Sequence, residues 1–212
     1  MIEKYYNGVI EQVAGGIGNV EHNSILVRYS NDFSIWDLES VNHYKDQTDI
    51  FFTCHEFSYN KIAEAYEPYL GLIRQMFHKY CSGTLEEFME ECDVYKLQRP
   101  VFESYFEKGF CERTEQILID EVEYEQERMH SSIVTMLQKL SEICPIVIVL
   151  NRFQLASKST MQLTNRLLQT KNKNIGIVLG VNDVQSIPEF AHEEWDAICE
   201  SMDDRNMVYH IG

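Results

Sequence analysis

Three consecutive residues, Cys54, His55 and Glu56, carry the most reactive combination of side chains in this 212-residue chain. A thiol beside an imidazole can act as a nucleophile with its general base, and a carboxylate can take part in acid–base catalysis. Cys54 and His55 lie at the end of a predicted strand, however, and neighbouring side chains on a strand point to opposite faces of the sheet, so these two cannot pair directly. We therefore interpret Cys54 as a buried or edge thiol and Glu56 as a cap or surface charge. A small α/β enzyme that uses Cys54 or Glu56 stays open as an alternative.

A glycine cluster, Gly15-Gly16-Ile17-Gly18-Asn19, could be mistaken for a phosphate-binding loop. Such a loop follows a strand, precedes a helix, and needs a lysine for the phosphates and a serine or threonine for Mg²⁺. This cluster precedes the first predicted strand and contains no lysine. We interpret it as an ordinary loop that ends the first helix.

Metal and disulfide chemistry are not predicted. The six cysteines and seven histidines are dispersed, without a CxxC pair or the short spacing that zinc sites use. We expect free thiols in a reducing compartment, and neither a metal nor a cofactor.

Strands and helices alternate along the sequence. Residues 145–150 form a wholly apolar run, which is typical of a central parallel strand covered on both faces. Five alternating strands predict an α/β fold with a parallel sheet. We expect one domain over 1–212, with a large helical insert at about 58–143 between strands 2 and 3. The strands are predicted at 24–29, 49–54, 145–150, 175–179 and 207–211. Helices are predicted at about 2–13, 62–77 with a break at Pro68, 84–92, 99–108 and 113–143. Three further helices are predicted to begin near Ser34, to contain Leu163 and Leu167, and to begin near Pro188.

Several short motifs, in order, resemble those of the STAND-type branch of AAA-related P-loop ATPases. In that family a buried strand ends in two acids and is followed by an "hWA-x-x-S" stretch and a leucine-rich helix. The run PIVIVLNRFQLASKSTMQLTNRLL, residues 145–168, is similar to this region. Weaker similarities follow the family's order at Cys54–Glu56, Tyr66–Arg74, Glu125–Arg128 and Leu179–Asp183. The resemblance implies a three-layer P-loop NTPase-like fold.

The resemblance also identifies where the nucleotide chemistry would lie, and there the required residues are missing. A P-loop needs glycines and a lysine, but Ile35 falls at the lysine position and Trp36 at the serine or threonine position. The two acids that would hold Mg²⁺ are replaced by Asn151 and Arg152, and the sensor arginine by Asn182 or Asp183. The vestigial loop comprises Tyr29, Ser30, Asn31, Asp32, Phe33, Ser34, Ile35 and Trp36, and its aromatic side chains are expected to fill the space of a nucleotide.

The expected function is therefore that of a non-catalytic, pseudo-ATPase domain. The resemblance implies a place in a bacterial signalling regulator, where such domains precede tetratricopeptide-like helices and an output module such as a GGDEF cyclase. Family members continue into a lid after the fifth strand, so we expect this chain to be part of a longer protein. Its role would be contact with protein partners or downstream domains, or self-association. The alternative is a switch that holds ATP or ADP without hydrolysing it.

The charge balance excludes one class of partner. With 18 Lys+Arg against 34 Asp+Glu the formal charge is −16, which repels the phosphate backbone of nucleic acids. No apolar run approaches the roughly 20 residues that span a bilayer, and the first residues are not a signal peptide. We therefore expect a cytoplasmic protein that binds neither nucleic acid nor membrane.

Overall fold

A computed structural model describes residues 2–19, 23–30, 34–45, 49–61, 65–109, 122–184, 186–203 and 208–211. The chain forms two compact units. The first comprises residues 1–66 and 144–212, and the second comprises residues 67–143. None of the helices within the described ranges combines the length and the apolar composition needed to cross a membrane.

Helices and strands alternate in the first unit, whereas the second unit is helical where it is described. In chain order the elements are α1 (Ile2–Gly15), β1 (Ser24–Tyr29), α2 (Glu39–Lys45), β2 (Phe51–Glu56), α3 (Tyr69–Tyr80), α4 (Leu85–Glu91), α5 (Arg99–Lys108), α6 (Val122–Ile143), β3 (Ile146–Asn151), α7 (Lys158–Gln169), β4 (Ile175–Asn182), α8 (His192–Asp203) and β5 (Val208–Ile211). Short 3₁₀ turns occupy Ile35–Asp37, Phe153–Leu155 and Glu189–Ala191.

The five strands form one sheet in the order β2-β3-β4-β1-β5, and every neighbouring pair is parallel. The α/β class and the parallel sheet are thus confirmed. The connection from β1 to β2 crosses the sheet in the opposite direction to those from β3 to β4 and from β4 to β5. Right-handed crossovers place such connections on opposite faces. Accordingly α1 and α2 pack together, and α7 and α8 pack together.

Strand β1 shows how the sequence selects the two faces of the sheet. Ile25, Val27 and Tyr29 belong to the apolar core that α1 covers with its own Tyr6 and Ile10. Intervening residues point to the other face, where Arg28 contacts α8. Strands β3 and β4 are buried along their whole length, as expected for central strands with both faces covered.

The second unit contains helices with clear start and stop signals. Thr84 forms a capping box with Glu87 at the start of α4, and Gly109 adopts a left-handed conformation at the end of α5. The helices predicted at 84–92 and 99–108 are confirmed. Helix α3 begins directly after Pro68, so the proline marks its start. Residues 62–64 and 113–121 of the predicted helices lie outside the described residues.

Other boundaries differ from the predictions. The helix expected from Ser34 is divided into a 3₁₀ turn and α2. Strand β2 starts two residues later than predicted and runs to Glu56, because its pairing with β3 continues through Glu56 and Asn151. Strand β4 extends to Asn182, since β1 pairs with it as far as Tyr29.

Candidate functional site

The carboxyl ends of β1, β4 and β3 lie side by side in the sheet. The connection from β1 leads to α2 and that from β4 leads to α8, on opposite faces. In open α/β sheets this reversal creates the crevice in which ligands usually bind. We call this region the carboxyl edge and define it by residues 28–29, 56, 151–152 and 182–183. The structure therefore brings together the three strand ends at which the sequence predicted vestigial nucleotide motifs.

Tyr29 and Asn151 close the centre of the carboxyl edge. The Tyr29 hydroxyl donates a hydrogen bond to Asn151 Oδ1 over 2.6 Å, and both side chains are 0 % exposed. The resemblance predicts Tyr29 as part of the vestigial loop, but it is the last residue of β1. Its ring packs edge-on against Tyr6 of α1, with the ring centroids 6.3 Å apart. An aromatic ring from the strand therefore lies under this part of the edge.

The contact between Tyr29 and Asn151 passes over β4 at Gly180. A Cβ atom at position 180 would lie 2.7 Å from Asn151 Oδ1 and would also collide with the Tyr6 hydroxyl. Only glycine leaves room for both polar groups. Burial, followed by the nearby Tyr29 and then Glu56 and Cys54, raises the pKa of Tyr6 well above its ordinary value. Tyr6 therefore stays neutral and acts as a packing residue.

Arg152, which the resemblance predicts at the position of the second Mg²⁺-binding acid, is held by a carboxylate from the neighbouring strand. Its Nε atom lies 3.5 Å from Oε1 of Glu56. The other carboxylate oxygen of Glu56 accepts a hydrogen bond from Ser34 Oγ over 3.1 Å. Glu56 thereby links the segment after β1 to the end of β3. Glu56 is thus a partner of Arg152 rather than an exposed surface charge.

Arg28, which is not among the predicted site residues, organises the other side of the edge. Its guanidinium group lies 3.2 Å from Asp183 Oδ1 and donates a hydrogen bond to Cys199 Sγ over 3.3 Å. It also stacks over the Trp195 ring, 5.7 Å from the centroid. The signal for this role was an arginine within an otherwise apolar strand, which needs a nearby acid. That acid is Asp183, one of the two residues that the resemblance predicts at the sensor position.

Asn182 has a structural role at the end of β4. Its side chain accepts a hydrogen bond from the Val184 amide over 2.9 Å, and its own amide donates to Gln154 Oε1 over 3.4 Å. The following amide, that of Asp183, donates to the Tyr29 carbonyl over 2.9 Å. These bonds connect the end of β4 to the ends of both neighbouring strands.

The remaining predicted positions are placed only in part. Ser30 is exposed, and Ile35 is fully buried in the core beneath α1, where its side chain cannot reach a phosphate. Asn31, Asp32 and Phe33 lie outside the described residues, as does the side chain of Trp36.

In the described part of the chain, the glycine cluster and the Cys54–His55 pair lie apart from any phosphate or nucleophile site. The glycine cluster lies at the opposite edge of the sheet, where the Gly18 amide donates to the carbonyl of Lys173 just before β4 begins. Cys54 packs against the core under α1, whereas the His55 ring meets Phe57 edge to face, with the ring centroids 4.5 Å apart. The described residues contain no group of three or more His, Cys, Asp or Glu that could hold a metal ion. Because the Cys54 and His55 side chains lie on opposite faces of the sheet, they do not form a nucleophile–base pair.

Among the described residues of the carboxyl edge, each arginine is paired with a carboxylate, and the Tyr29 and Asn151 side chains occupy the centre. Arg28 is paired with Asp183, and Arg152 with Glu56. A bound polyphosphate would need cations in excess, together with backbone amides that point inward.

No protein-family model and no curated protein matches this chain.

Proposed function

We propose that this chain is a non-catalytic domain with a P-loop NTPase-like build that acts through protein–protein contacts. The observation that carries the proposal is the buried hydrogen bond between Tyr29 and Asn151. A P-loop ATPase needs the end of its first strand open to the phosphates and a carboxylate beside it for Mg²⁺. Here those two positions are bonded to each other and closed to solvent.

The order of the strands supports the comparison with P-loop enzymes. In those enzymes the phosphate loop, the metal-binding acid and the sensor all act on the same phosphates, so their three strands must be neighbours. Strands β1, β4 and β3 are neighbours in this sheet and end in the residues of the three vestigial motifs. The order also differs from the Rossmann and flavodoxin-like orders. A place in a bacterial signalling regulator is supported only by the motif resemblance.

Thermal unfolding with and without nucleotide tests this proposal. At 5 mM, a ligand with a Kd of about 50 μM would stabilise the folded state by about 2.7 kcal/mol and raise the Tm by roughly 5–10 °C. We expect no shift with ATP or ADP, with or without Mg²⁺, and no phosphate release above the buffer blank. An active P-loop ATPase measured in parallel provides the positive control.

Two outcomes would contradict the proposal in different ways. A dose-dependent rise in Tm without phosphate release would instead support the nucleotide-binding switch. Phosphate release would show an ATPase. In either case Arg28→Ala and Arg152→Ala should abolish the effect if it arises at the carboxyl edge, whereas Lys4→Ala, on the exposed side of α1, should leave it unchanged.

A further inference from the structure

We draw no further inference here: the strongest candidate, the exposed apolar side chains of Val184 and Phe190 in the connection between β4 and α8, carries none because nothing in the described residues shows what covers them.

Discussion

Gly180 is the residue on which the closed carboxyl edge depends. It lies on β4 opposite Val27 of β1, at the point where Asn151 and the Tyr6 hydroxyl approach the backbone. Any side chain there would occupy the space of these two polar groups. The glycine therefore has a steric reason, and this reason is specific to an edge filled by tyrosine and asparagine.

Replacing Gly180 by alanine should destabilise the protein by about 1–3 kcal/mol, because the added methyl group meets buried atoms that have no room to move. Urea unfolding monitored by circular dichroism measures the change. The matched control is Gly8→Ala in α1, where a Cβ would meet nothing within 4 Å. That substitution should stabilise the chain by about 0.5–1 kcal/mol, because alanine is the better helix former. Equal effects at both positions would contradict the assigned packing.

At the scale of secondary structure elements, α7 and α8 are joined by a carboxylate. Glu194 of α8 is nearly buried and lies 3.1 Å from Lys158 Nζ, and it accepts a hydrogen bond from Gln162 Nε2 over 2.9 Å. Burial alone would raise the pKa of Glu194, but the hydrogen bonds from Lys158, the backbone and Gln162, with the charge of Lys158, together lower it. The ionised form is therefore favoured in the folded state.

A carboxylate whose pKa is lowered in the folded state stabilises the protein at pH values above its pKa in the unfolded chain, which is about 4.3. This stabilisation is lost as the pH falls through the pKa of the folded state. The free energy of unfolding should therefore decrease between pH 6 and pH 3. In Glu194→Gln the decrease should be smaller, because the group no longer titrates. Urea unfolding at several pH values measures both slopes. Glu193→Gln, at an exposed neighbouring position, should keep the parent slope. An unchanged slope in Glu194→Gln would show that this carboxylate does not contribute.

Local signals predicted most elements well. The wholly apolar run before Asn151 predicted β3, and Thr84 and Gly109 carry the start and stop signals of α4 and α5. Strand order could not be predicted, because it depends on contacts between residues far apart in sequence. The partners of Arg28 and Arg152 were missed for the same reason, since Asp183 and Glu56 reach them only through strand pairing.

At the scale of the whole molecule, net charge opposes compactness. The formal charge is −16, so the excess carboxylates repel one another in the folded state, and this repulsion is relieved when the chain unfolds. Salt screens such repulsion, with a Debye length of about 10 Å at 0.1 M. Salt also weakens the ion pairs, but exposed pairs are each worth only about 0–1 kcal/mol. The long-range repulsion should therefore decide the sign of the salt effect.

We expect the Tm to rise by several degrees between about 20 mM and 500 mM NaCl, where screening becomes nearly complete. Choline chloride at the same ionic strength should give a similar rise, because screening depends on ionic strength and not on the identity of the cation. A rise with NaCl alone would indicate binding of sodium ions to the acidic surface. A fall in Tm with both salts would mean that attractive pairs such as Arg28–Asp183 and Lys158–Glu194 outweigh the repulsion. The excess of acidic residues would then be locally compensated in the folded chain.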